Sequence, residues 1–314
     1  MNTIETKIIA LQDGQQIYAE RYHKRYRLKA ATDIAIIILH GGPAESCVTF
    51  ADFALLMADC FDLILFDQRG VLRSSSEYNP EKIRIKRYVS DLKEIQQAYG
   101  IEKAVLFAHC FGAQIAIRYA AAYPERVSSL ILENPCIDVF DSLQNIILRY
   151  RKYFSEIGEK GLAEKMGKAL VTNSTREKLS IVNSVPKGQR MRFWGNEKLS
   201  NKHKTIFSFS GFSQEQKAQS ANTHGILLQD KDLRENGWEY LDQVFCPILL
   251  FYGEKDSMLS PEMLERFFSG QDNRKGSEIR EGGHYLHMSN IHEMKAGISS
   301  FFCRNELLAD GRKT

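Results

Sequence analysis

The sequence predicts an α/β fold: a mostly parallel central sheet flanked by helices, with a mainly helical segment inserted. Three observations predict it. Apolar, β-branched runs of strand length alternate with helical patterns over the first 135 residues. From 136 to 245 that rhythm gives way to helical, polar and aromatic-rich sequence. It then resumes with two further strand–helix units, which belong to the same sheet. Strands alternating with helices imply parallel strands joined by right-handed crossovers.

The elements follow in order. "DIAIIILHGG" (33–42) is a continuous apolar run stopped by glycines, as expected of a strand buried on both faces. "DLILFDQRG" (62–70) repeats the form. "YVSDLKEIQQAYG" (88–100) places Val89, Leu92, Ile95 and Tyr99 on one helical face and closes at Gly100. "KAVLFAH" (103–109) is a third buried strand, and "GAQIAIRYAAAYPERV" a small-residue helix ending near Pro124. "SSLILEN" is a fourth strand. After residue 245 come "CPILLFYGEKD" (246–256), the helix "PEMLERFFSG", a strand "SEIREGGH" (277–284) and the helix "NIHEMKAGISSFFC" (290–303). The expected organisation is therefore a core in two parts, 1–135 and 246–314, with a helical cap at 136–245.

Composition bounds the function. The 314 residues can bury a sizeable interior, and 43% hydrophobic with 26% charged residues is ordinary for a globular chain. A net charge of +3 without long single-sign runs gives no electrostatic support for nucleic-acid or membrane binding. The start lacks a signal-peptide pattern and no apolar run reaches membrane length, so the expectation is a cytoplasmic protein. Cysteines at 47, 60, 110, 136, 246 and 303 form no C-x-x-C and no zinc spacing; they read as reduced thiols. His284 and His287 are spaced H-x-x-H, which does not suit a helical metal pair, so no metal is expected. No phosphate-binding or dinucleotide fingerprint occurs, so no cofactor is implied.

The chemistry centres on "VLFAHCFGAQIAIRYA" (105–120). A strand must turn sharply into a helix at Cys110, and such an elbow needs small residues two before and two after the nucleophile. Ala108 and Gly112 stand there. A base and an orienting acid would come from later strand ends: Asp256 follows "FYGEK" and His284 stands in "GGHYLH". Glu133, ending the strand at 128–134, is an alternative acid.

With "HGGP" (40–43), "DQRG" (67–70), "YPERVSSLIL" (123–132), G-x-x-D at 253–256 and "GGH" (282–284), the chain resembles the α/β-hydrolases, in particular their proline-iminopeptidase-like branch. The resemblance covers about residues 5–135 and 244–304 and fades between them. It implies Cys110 as nucleophile, His284 as base and Asp256 as acid, with the backbone N–H groups of Gly42 and Phe111 as oxyanion hole. His40 would brace the oxyanion loop, and Arg69 reads as an ion-pair partner. There are departures. Ala44 stands where the family continues "HGGPG", Leu72 replaces the second glycine of D-x-R-G-x-G-x-S, and no W-x-x-W-E-like signature for a free α-amine occurs.

A thiol nucleophile changes what can follow. A cysteine ionises near pH ~8.5 and more readily beside a histidine or helix N-terminus. Its acyl-enzyme is a thioester, which is open to amines as well as to water. The leading reading is a Cys-His-Asp hydrolase of an amide, ester or thioester. The alternatives are an acyltransferase or cyclase using the same intermediate, and a non-catalytic binder. The expected partner is a small-molecule acyl substrate, free or carrier-bound. Residues 136–245 hold 17 Lys and Arg against 13 Asp and Glu, which would suit an anionic carrier or simply a solvated helical surface. His109, Phe193, Trp194 and Phe207 are the candidates for touching substrate. Their alternatives are a satisfied buried histidine and aromatics that, with Phe209 and Phe212, seal the segment against the core.

Overall fold

The structure is a computed structural model that describes residues 2–24, 34–74, 81–186, 189, 201–202, 206 and 210–305. Eight strands form one sheet: β1 (Asn2–Ala10), β2 (Gln16–Lys24), β3 (Ala35–Leu39), β4 (Asp62–Phe66), β5 (Ala104–His109), β6 (Val127–Glu133), β7 (Ile248–Gly253) and β8 (Arg274–Ile279). Their order is β1-β2-β4-β3-β5-β6-β7-β8. β1 pairs antiparallel with β2 and β2 antiparallel with β4; every later pairing is parallel. The β1–β2 hairpin is not among the elements expected from the sequence. The last strand is expected at 277–284. That strand begins earlier, at Arg274, and ends at Ile279; beyond it Gly282 N–H bonds back to Ile279 and Glu281 adopts a positive φ of 55°, which frees 280–284 as a loop.

Alternation along the strands explains their unbroken apolar runs. Ile37 and Leu39 of β3, with Leu106 and Ala108 of β5, face one layer of core. Ile36, Ile38, Val105 and Phe107 face the other. Successive side chains leave opposite faces, so a sheet covered on both sides must be apolar at every position. Helices α2 (Ile85–Ala98) and α3 (Gly112–Ala122) cover the first face, and α1 (Ala51–Met57) the second.

Between β6 and β7 lie α4 (Val139–Glu156), α5 (Lys160–Val171), α6 (Thr175–Asn183), α7 (Gln214–Leu227) and α8 (Gly237–Leu241). Asp138 starts α4 by accepting from Phe140 N and Asp141 N at 2.9 and 3.0 Å, and Ser213 starts α7 with a capping box to Gln216. Helix α7 is bonded to core loops. Ser220 Oγ accepts from Leu72 N (2.9 Å), Thr223 donates to Gly70 O (2.9 Å), Gln219 to Ser74 O (2.7 Å) and His224 Nδ1 to Pro43 O (2.8 Å). Phe212, just before α7, packs on Val71 and Leu72 and so seals the segment to the core. The chain ends with α9 (Pro261–Gly270), α10 (Leu286–Ser289) and α11 (Ile291–Arg304), the last lying on the α1 face. Among the described residues no helix is long and apolar enough to cross a membrane.

Candidate active site

The elbow begins where β5 ends. Cys110 adopts φ 47°, a left-handed conformation that costs an L-residue about 1–2 kcal/mol and is held only where the surroundings fix it. Here they do: Cys110 N donates to Glu133 O, and Cys110 O accepts from Ala113 N and Cys136 N, at 3.0–3.1 Å. Gly112 has no room for a side chain, since a Cβ there would meet Leu39 O at 2.5 Å. That is the physical reason for the small residue two places after the cysteine.

His284 and Asp256 come from the loops after β8 and β7. His284 Nδ1 and Asp256 Oδ2 are 2.6 Å apart, and Asp256 Oδ1 accepts from Met258 N at 2.7 Å, so both carboxylate oxygens are engaged. On its other side His284 is hydrogen-bonded to Cys110. Burial alone would lower the His284 pKa, but the charges of Asp256 and Cys110 and hydrogen bonds to both raise it well above 6.5. A residue that sequence reasoning missed joins the two loops. Asn134, directly after β6, donates from Nδ2 to Gly283 O and His284 O and accepts at Oδ1 from Gly253 N, each at 2.9 Å. The available signal was the residue type: an asparagine directly after an apolar strand, which tolerates the left-handed φ of 41° found there better than most residues.

The loop after β3 runs from His40 to Glu45. His40 is fully buried; its Nε2 accepts from Gln68 N at 3.0 Å and its carbonyl from Gln68 Nε2 at 2.8 Å, locking the β3 loop to the β4 loop. Gly41 is confined, since a Cβ would meet His109 Cδ2 at 2.7 Å, Glu45 Oε2 at 3.0 Å and Cys110 Cβ at 3.2 Å. Gly42 and Phe111 both border the cavity above Cys110. The two departures from the family's glycine pattern fall on left-handed backbone: Ala44 at φ 67° and Leu72 at φ 39°. Leu72 is buried against Val71 and Phe212, with Ala44 and Val48 packed at the edge of that cluster. Arg69 is buried in ion pairs with Asp91 and Asp13, both at 2.5 Å, away from any substrate.

Above Cys110 lies a cavity of ≈ 360 Å³. Val139, Leu143 and Ile146 of α4, Leu179 and Val182 of α6, and Met258 give it an apolar wall. Its polar lining includes Glu45, His224, His284 and Tyr285, with Ser142 and Asn183 on the two helices of the wall; of these, His284 and Glu45 stand beside Cys110. Phe193, Trp194 and Phe207, named above as substrate contacts, lie outside the described residues. His109 does not touch the cavity. It is fully buried, with its ring centroid 4.7 Å from that of His284, so it backs the histidine rather than meeting substrate.

Glu133 is likewise turned away from His284. Its carboxylate accepts from His287 N and lies 2.9 Å from His287 Nδ1 through both oxygens, with His109 Nδ1 at 3.5 Å. His109, Glu133 and His287 are all fully buried, and their ligating atoms lie within 4.8 Å of one another. By donor type such a set can take a metal, but the carboxylate is already committed to His287. Burial, reinforced by His284 and His287 and opposed by Glu133, pushes His109 down to about 3, so it is neutral.

Comparison with known proteins identifies the fold family. A sequence model of the alpha/beta hydrolase fold family matches residues 34–291. The chain is 32% identical to the proline iminopeptidase of Heyndrickxia coagulans over 102 residues, 32% of this chain and 35% of that protein. It is 29% identical to the proline iminopeptidase of Xylella fastidiosa (strain 9a5c) over 132 residues, 41% and 39% of the two chains. These matches span well under half the length of those relatives. In fold it is similar to the crystal structure of proline iminopeptidase from Mycobacterium smegmatis, with a TM-score of 0.77 and 15% identity over 98% of this chain and 100% of the other.

Proposed function

The chain belongs to the α/β-hydrolase fold family, and within it we propose an acyl hydrolase in which Cys110 is the nucleophile, His284 the base and acid, and Asp256 the orienting carboxylate. The observation that carries this reading is the placement of His284, bonded to Asp256 at 2.6 Å and to Cys110, on the floor of an apolar cavity.

The steps follow from that placement. The Cys110 sulfur attacks the acyl carbonyl carbon while the protonated His284 holds the thiolate. The carbonyl oxygen takes up the negative charge facing the N–H groups of Gly42 and Phe111, the latter at the start of α3 where backbone dipoles favour an anion. Collapse breaks the bond to the leaving group, which receives the proton from His284. Neutral His284 then takes a proton from water as it attacks the thioester, and acid is released with the thiol restored. Asp256 keeps the proton on Nδ1 and stabilises the imidazolium.

The cavity selects the acyl group. Its size, near the lower end for small-molecule sites, and its aliphatic wall suit a compact apolar acyl chain. The helical segment serves as a cap, α4 and α6 supplying that wall. The thiol also supports a second reading, transfer to an amine, because a thioester gains more over an ester when an amine attacks than when water does. Intact-mass spectrometry after incubation with short-chain acyl thioesters and esters tests the proposal. It expects an acyl adduct on Cys110 that decays with release of acid. No adduct with any acyl donor would leave a binding protein. Amide formed in proportion to added amine, and more so than in Cys110→Ser, would favour transfer.

A further inference from the structure

We propose that Glu45 and the Tyr285 phenol form a leaving-group site that selects substrates carrying a positively charged amine on the group expelled from the acyl carbon. This rests on the reading of Cys110 as nucleophile and His284 as the donor of the leaving group's proton.

The leaving group must lie beside His284, because His284 protonates it. Tyr285 flanks that position, with its ring edge-on to His284 and centroids 5.1 Å apart. The Tyr285 O–H donates to the Glu45 carboxylate. Glu45 Oε2 and Cys110 Cβ approach one and the same point beside Gly41, at 3.0 and 3.2 Å, so the carboxylate is a neighbour of the nucleophile. Among the described residues that line the cavity, Glu45 is the carboxylate, and it stands on the thiol side rather than against the aliphatic wall.

A carboxylate is a poor neighbour for an oxyanion hole. Nothing in the triad chemistry needs it, and it repels the charge that develops on the substrate oxygen. It becomes useful when the substrate brings a cation. An ammonium on the leaving group then bridges Glu45 and the developing negative charge, and the half-buried setting of Glu45 strengthens the attraction relative to water. The acceptor in the second half-reaction occupies the same side of the acyl carbon, so the site also receives an acceptor that carries a cation apart from its attacking atom. An anionic carrier, which the basic balance of 136–245 would suit, meets repulsion at this point.

Two measurements test the idea. The first needs no turnover. Rates of Cys110 modification by the cationic trimethylammonioethyl and the anionic sulfonatoethyl methanethiosulfonates are followed by intact mass, with free cysteine as reference. Wild type is expected to favour the cationic reagent about tenfold beyond free cysteine. Glu45→Gln should remove most of that preference and Glu45→Asp should retain part of it. A wild-type ratio equal to or below that of free cysteine overturns the proposal, whatever the variants do; so does a ratio that Glu45→Gln leaves unchanged. The second compares choline butyrate with its neutral isostere 3,3-dimethylbutyl butyrate. The expected ratio of kcat/KM favours the choline ester about tenfold and collapses in Glu45→Gln. If neither ester is turned over and neither acylates Cys110, the hydrolase reading fails, while the reagent ratio still decides the charge preference.

Discussion

Asn134 Nδ2 lies 2.9 Å from the carbonyl oxygen of His284, and through its other side-chain atom the same residue holds Gly253, at the head of the loop that carries Asp256. One amide side chain therefore fixes the separation of the two loops that carry Asp256 and His284.

Asn134→Ala should act on geometry rather than on binding. Turnover is expected to fall about 10–100-fold with KM little changed, alongside a stability loss of about 1–3 kcal/mol for the orphaned backbone groups. The His284 titration midpoint, followed by NMR, should drop as its contact with Asp256 loosens. A midpoint that stays in place while stability falls would reduce Asn134 to a packing residue.

Asp256→Asn should lower turnover by about three to four orders of magnitude with the fold intact. Glu133→Gln should cost stability instead, about 1–3 kcal/mol, because the carboxylate serves His287 and the elbow's underside. Thermal melts and steady-state rates on both variants separate the two roles; the reverse pattern would move the acid to Glu133.

Iodoacetamide should label Cys110 first at neutral pH, ahead of the exposed Cys60 and Cys303. Cys136 lines the same cavity, but burial and the neighbouring Cys110 raise its pKa well up, which leaves it slow. His284→Ala should bring Cys110 down to the slowest group. Peptide mapping at early times reads the order directly.

The raised pKa of His284 sets a pH signature for stability. A group with a folded-state pKa above its unfolded value stabilises fully below the unfolded value, near 6.5, and loses that contribution as pH rises through the folded value. Cys110→Ala removes one of the partners that raise it. The loss should then be smaller and complete at lower pH, visible as a decline of Tm above neutral pH that is shallower and levels off earlier than in wild type. Superimposable Tm–pH curves would show that the pair is not coupled.

Ala44 and Leu72 predict opposite signs for the same substitution. Ala44→Gly relieves a left-handed φ and should stabilise by about 1 kcal/mol. Leu72→Gly relieves a similar strain but removes a buried side chain worth about 1.5–3 kcal/mol, so it should destabilise. Urea midpoints on the two variants give the comparison.

The core was legible because its physics is local. A strand covered on both faces writes itself as an apolar run, and an elbow demands small residues at 108 and 112. Cys110, Asp256 and His284 could be ordered because each stands shortly after a strand. What could not be read depended on side-chain direction. Glu133 ends a sheet strand much as Asp256 follows one, and only the structure shows it serving His287. His109 sits next to Cys110 in sequence yet faces the opposite side of the turn. Asn134 and Glu45 act through contacts with residues far away in the chain, which no periodicity announces. The last strand was misplaced because "GSEIREGG" offers no apolar run, its outer position leaving much of it exposed.

The bonds that hold α7 to the core have one property in common: on the core side every partner is a backbone atom, of Pro43, Gly70, Leu72 or Ser74. These polar bonds are indifferent to which side chains the core loops carry, and the contact of Phe212 with Val71 and Leu72 is the side-chain match that remains. The helical segment can be rewritten, or exchanged for another that presents the same few polar groups at the same pitch, provided that one apolar match is kept. The chemistry and the selection of substrate are thereby separable inheritances, the one tied to strand ends and the other free to wander.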